Sequence, residues 1–123
     1  MIKLIAFVKR KPSLTHEEFQ KYYEERHVPL IMDLIPLCSD YRRNYLNPSA
    51  RIESPVGGRG AGGMDFDAIT EVWYTEDAFA RMQAATAQSD IGERIAADEE
   101  NFVDRSATIM WLAKEAITPS IQN

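Results

Sequence analysis

Residues 67–74 read Asp-Ala-Ile-Thr-Glu-Val-Trp-Tyr, the most strand-like run in the chain. The run carries no glycine and is rich in β-branched and aromatic side chains, which suit a pleated, half-buried surface. Just downstream, Thr75-Glu76-Asp77 has the chemistry of a helix cap, and a helix is expected through Phe79 and Met82. Ser89 and Asp90 mark a second helix start leading to Ile91, Ile95, Phe102 and Val103, and Ser106 to Ala113 (SATIMWLA) reads as a last apolar strand before a tail over 116–123.

Upstream, five of the six glycines fall between Gly57 and Gly63, after Pro48 and Pro55, so 47–64 reads as a long loop, either a flexible lid or a plain hairpin extension. No Gly-Lys-Ser/Thr follows those glycines, which argues against a phosphate cradle. Before the loop, Tyr41 to Leu46 (YRRNYL) alternates like a strand. Earlier still, Thr15-His16-Glu17-Glu18 is a capping box, in which two side chains satisfy orphan amides at a helix start. Phe19, Tyr22, Tyr23, Arg26, His27 and Leu30 follow at helical spacing. Pro29 is expected to kink or end that helix, with a short second piece over Leu30 to Ile35. Ile2 to Lys9 (IKLIAFVK) is the first strand, ended by a charged turn and Pro12. The order is β-α-β-β-α-β, an α+β, ferredoxin-like domain with an antiparallel sheet and helices on one face.

That architecture leaves one sheet face without a cover. Ile5, Phe7 and either Trp111 or Met110 are candidates for it, and water disfavours so large an apolar patch. A homodimer pressing two sheets together is the expected solution.

The chain has 123 residues, the length of one domain, residues 1–123. It carries 14 Lys and Arg against 19 Asp and Glu, a net charge of −5, which argues against nucleic-acid and anionic-membrane partners. Cys38 is the single cysteine, so neither an internal disulfide nor a thiolate zinc cluster is available. No apolar run approaches the ~18 residues of a membrane span. Met1-Ile2-Lys3 opens straight into a strand, so a cytoplasmic location is expected.

Three segments carry a resemblance. Residues 19–30 (FQKYYEERHVPL), 67–74 (DAITEVWY) and 98–106 (DEENFVDRS) resemble ordered motifs of the EthD-like family, over residues 1 to 47 and 64 to about 115. The resemblance implies a dimeric α/β barrel of ferredoxin-like protomers. It also implies small lyases, dehydratases and isomerases that act without a cofactor on cyclic, often aromatic or lactone compounds. By position, His27 matches the family's helix-one histidine and Tyr41 its strand-two tyrosine. The chain departs from the family pattern at Tyr23, where many members have tryptophan, at Leu37-Cys38-Ser39, which replaces a Gly-containing turn, and in its long Gly-rich loop.

Among the candidate residues, His27 shares the inward stripe of Phe19 and Tyr23, and an imidazole is the side chain best suited to give and take protons. Tyr41, Asn44 and Tyr45 can offer a hydroxyl or amide to a substrate oxygen. Asp65 and Asp67 flank Phe66 on one side of the strand, either as an acid–base pair or as acceptors for backbone amides. Glu71, in mid-strand, requires a partner, with Arg42 or Arg43 in reach. His16-Glu17-Glu18-Phe19-Gln20 begins like a metalloprotease motif but has glutamine where the second histidine must stand, so no metal is expected. Cys38 has no neighbouring histidine to make it a nucleophile.

The expectation is a cofactor-independent lyase, dehydratase or isomerase of a small cyclic or aromatic carbonyl, lactone or polyketide-type compound, in a degradation or biosynthetic pathway. His27 moves the proton and Tyr41 or Asn44 polarises the substrate oxygen. Tyr23, Phe66, Asp67, Trp73 and Phe102 bind the substrate. The alternative is a small-molecule binding protein serving an oxygenase, without chemistry of its own. Haem chemistry and RNA binding rank below both, the latter because 67–74 lacks the basic-Gly-aromatic pattern RNA recognition needs.

Overall fold

The computed structural model describes residues 1–52, 55–58 and 65–120. Residues 53–54 and 59–64 of the Gly-rich loop lie outside the described residues, and the expectation of a lid falls largely on them. Gly57 and Gly58, which are described, have φ of 72° and 81°, a region open to glycine because it has no Cβ.

Strand β1 (Ile2–Val8) leads to α1 (His16–Tyr22), a π-helical turn (Tyr23–His27) and α2 (Val28–Leu34). Then come β2 (Asp40–Tyr45), β3 (Ala68–Tyr74), α3 (Glu76–Thr86), α4 (Ser89–Glu99) and β4 (Ile109–Ala113). The sheet runs β2-β3-β1-β4 with every neighbouring pair antiparallel. This is the ferredoxin-like α+β arrangement that the element order implies.

The chain does not break at Pro29. Proline has no N–H to donate, and in a regular α-helix its ring meets the carbonyl four residues back. Here the preceding turn widens, so that the Val28 amide donates to the Tyr23 carbonyl, and α2 continues with Pro29 in its first turn. The helix starts where the capping box places it, with the Thr15 hydroxyl accepting from the Glu18 amide and the Glu18 carboxylate accepting from the Thr15 amide. Two further boundaries differ from expectation. Phe102 and Val103 lie beyond the end of α4, and Ser106 and Ala107 form a 3-10 turn that precedes β4 rather than belonging to it.

Residues on β3 alternate, with Ala68, Thr70, Val72 and Tyr74 buried towards the helices and Ile69, Glu71 and Trp73 turned the other way. The register carries this onto the neighbours. Tyr41, Arg43 and Tyr45 of β2 pair with Val72, Thr70 and Ala68, while Asn44 pairs with Ile69 and joins the outer face. The core lies between the sheet and the first helical segment, where Phe19 and Phe102 are fully buried beside Tyr23, Ala6, Val8, Ala68 and Val103.

On the outer face, Ile5 pairs with both Glu71 and Trp111, and Phe7 with both Ile69 and Ile109. Trp111, not Met110, therefore belongs to this face, and it is 62% exposed. The Glu71 carboxylate is held by Lys3 (2.8 Å) and the Asn44 amide (3.0 Å) rather than by Arg42 or Arg43. Those arginines are drawn to Asp40 and Glu24. Among the described residues, no helix is long and apolar enough to cross a membrane.

Candidate active site

A cavity of about 290 Å³ opens between the helix-side face of the sheet and the helices. Its walls are mostly aliphatic or aromatic, from Leu4, Val72, Ile31, Ile95 and Phe102 among others. A few polar groups converge within it, the usual composition of a small-molecule site.

His27 is the central one. The widened turn before Pro29 puts Tyr23 and His27 on the same inward side, with ring centroids 5.4 Å apart, and His27 packs on Phe102 at 4.9 Å. Only 6% of His27 is exposed. Its Nδ1 lies 2.8 Å from Asp98 Oδ2, near the end of α4. A carboxylate only accepts, so Nδ1 carries the proton, and Nε2 has no hydrogen-bond partner among the described residues. The other Asp98 oxygen accepts from the Tyr22 hydroxyl at 2.7 Å, and the Asn101 amide donates to that hydroxyl at 2.9 Å. Asp98 is thus held from two sides, which fixes the plane and tautomer of the imidazole.

Beside His27 on the cavity wall stand two hydroxyls. Tyr23 Oη lies 2.6 Å from Thr70 Oγ1, and the Tyr23 and Tyr41 side chains are hydrogen bonded to each other. Burial pushes both phenols above their ordinary pKa, so both remain protonated donors at neutral pH. Behind them, Arg43 stacks 4.7 Å from the Tyr41 ring and grips Glu24 through two bonds of 2.8 and 2.9 Å. Tyr45 also donates to Glu24, at 2.5 Å. That ion pair braces β2 against the helix that carries Tyr23 and His27. Cys38 lines the cavity too, but burial raises its thiol pKa and keeps it neutral.

Of the residues singled out from the sequence, the cavity gathers His27, Tyr41, Tyr23 and Phe102. Four others lie elsewhere. Asn44 is on the outer sheet face, its amide donating to the Ile69 carbonyl and to Glu71. Trp73 is on that face as well, under Lys3 at 4.6 Å and donating to Glu115. Phe66 packs at 5.5 Å against Phe7, an outer-face residue. Asp67 is buried but accepts from the Arg10 amide at 2.7 Å, with His16 Nδ1 at 3.2 Å, and so ties the β1–α1 connection to the start of β3.

Two residues of the site were not picked out from the sequence. Asp98 and Glu99 stand in the segment 98–106, the former four positions before Phe102. That one-turn spacing was the available signal that Asp98 shares the inward side. Among the described residues no group of three His, Cys, Asp or Glu side chains is arranged to hold a metal ion.

Together the sheet order, the one-sided helices and the cavity between them define a ferredoxin-like α+β protein with an internal cavity. Within that class the chain belongs to the EthD family, whose EthD domain model matches residues 11–106. An EthD-like protein of Ralstonia eutropha JMP134 superposes with a TM-score of 0.61 at 18% identity, covering 98% of this chain and 96% of that one. An ethyl tert-butyl ether D (EthD) family protein of Bacillus halodurans C-125 gives 0.59 at 23% identity, with 94% and 99% covered. Hydroxynitrile lyase from Passiflora edulis gives 0.50 at 13%, with 95% and 96% covered. At these identities the likeness is one of fold. No curated protein sequence matches the chain.

Proposed function

We propose that the cavity is the active site of a cofactor-independent lyase, dehydratase or isomerase acting on a small cyclic or aromatic carbonyl compound. The observation that carries this reading is the His27–Asp98 pair, 2.8 Å apart, with His27 on the wall of an apolar cavity beside the Tyr23 and Tyr41 side chains. His27 Nε2 takes a proton from the carbon beside the substrate carbonyl, and the C–H electron pair moves into the enolate. The linked Tyr41–Tyr23–Thr70 hydroxyls have one proton left to donate to the oxygen on which charge develops. Asp98 stabilises the imidazolium that forms. In an isomerase the imidazolium returns the proton to another carbon. In a lyase or dehydratase it protonates the leaving group as the enolate collapses. A positioned base of this kind supplies about 10²–10⁴-fold in rate. That one structural neighbour is a hydroxynitrile lyase supports a lyase among these classes, without transferring its substrate.

The same reading makes the protein a homodimer joined through its outer sheet faces, forming the dimeric α/β barrel that the EthD-like resemblance implies. The catalytic test is turnover of a panel of cyclic ketones and lactones by wild type, His27→Gln and Asp98→Asn. His27→Gln is expected to lose at least about 100-fold in kcat/KM. Asp98→Asn should lose less and move the pH profile. Ligands that bind wild type and His27→Gln equally, with turnover by neither, would mark a carrier instead.

A further inference from the structure

The cavity's size and charge together describe what enters it. This inference rests on the proposed function only in taking the cavity as the substrate site.

An apolar protein cavity of roughly 150 Å³ holds one benzene molecule. The cavity here measures about 290 Å³, close to twice that, and has room for two fused rings. Its polar groups cluster. His27, Tyr23, Tyr41 and Thr70 are linked to one another by ring contact or hydrogen bond, whereas the Thr86 and Thr108 hydroxyls are committed to the Met82 and Asp104 backbone carbonyls. One oxygen function at one end of the ligand meets this cluster.

Charge narrows the class further. Among the described residues, no lysine or arginine lines the cavity, and Glu99 does. A second hollow adjoins the cavity, sharing Glu99, Val103, Thr108 and Met110. There Arg105 lies between two carboxylates, 3.0 Å from Glu99 and 3.8 Å from Glu100, leaving that approach net acidic. If His27 is protonated, Asp98 already balances it at 2.8 Å. An anionic ligand group therefore finds hydroxyl donors but no unmatched cation, and a buried charge without a counter-charge is strongly disfavoured.

We propose that the cavity takes an uncharged compound of two fused rings bearing a carbonyl or phenolic oxygen at one end, and that Glu99 excludes the corresponding carboxylates. Isothermal titration at pH 7.5 with 2-tetralone, cyclohexanone and 2-naphthoate tests both halves. 2-Tetralone should bind at least about tenfold more tightly than either of the others, one lacking the second ring and the other carrying the charge. In Glu99→Gln, the affinity of 2-naphthoate relative to that of 2-tetralone should rise at least about fivefold. Naphthoate binding as tightly as tetralone in wild type overturns the charge argument. Cyclohexanone binding as tightly overturns the size argument, and no measurable tetralone binding overturns both. Because the readout is affinity, selective binding without turnover leaves this inference standing and counts against the catalytic one alone.

Discussion

His27 has its two ring nitrogens in different surroundings, one locked to Asp98 and one left free, and that asymmetry is what a side chain needs to move a proton in one direction. The histidine and Tyr41 were legible from the sequence. Asp98 was not, because it lies 71 residues from His27 and only packing of α4 against the first helical segment joins them. Glu24 is a second such case, facing solvent by helical spacing yet bonded to Arg43 and Tyr45. The Arg43 guanidinium holds the Glu24 carboxyl below its ordinary pKa. A carboxylate with a lowered folded-state value contributes stability that is complete above the unfolded pKa of about 4.3 and lost as pH falls through the lowered value. The urea midpoint of wild type should thus fall as pH drops from about 5 to 3, and Glu24→Gln should remove part of that slope. An unchanged slope in the variant would show that the pair contributes nothing in this range.

At the scale of elements, the first helix and its cap were readable because capping is local chemistry over four residues. The π-turn was not. Pro29 signals a disruption, but whether the chain bends, stops or widens depends on what the flanking turns are packed against. Here Tyr23 and His27 are both buried, and widening keeps both inward. The α3–α4 junction makes a related point at Gly92. Propensity alone ranks alanine about 1 kcal/mol better than glycine inside a helix. In the fold, a Cβ at this position would stand 2.6 Å from the Thr86 carbonyl oxygen at the end of α3. Backbone cannot yield as a flexible side chain would, so the sign reverses. Gly92→Ala is expected to destabilise by about 1–3 kcal/mol, as overpacking does. A higher midpoint in chemical denaturation would show that α3 and α4 shift apart at little cost.

For the molecule as a whole, the open question is what covers the outer sheet face. β4 is an edge strand, exposed at Ile109, Met110, Trp111 and Leu112, and Ile109 and Trp111 share that face with Ile5 and Phe7. A partner sheet there would bury the two aromatic rings and shield the edge. Trp111→Lys is expected to turn a dimer into a monomer in sedimentation at micromolar concentration, with the far-UV spectrum retained. A wild-type protein that sediments as a monomer at every concentration would remove the dimer.

The sequence by itself determined the element order, the capping box, the inward stripe of Phe19, Tyr23 and His27, and hence the fold. Each of these is a pattern of period two or about 3.6 within a few residues. Tertiary structure alone decided which side of each strand faces the helices. Alternation separates two faces without saying which is covered, and in this sheet both carry apolar residues. That is why Tyr41 stands in the cavity while Asn44 and Trp73 do not. Tertiary structure also brought Asp98 to His27 and Glu99 to the cavity wall, since a carboxylate acquires its role only from the groups that packing sets beside it.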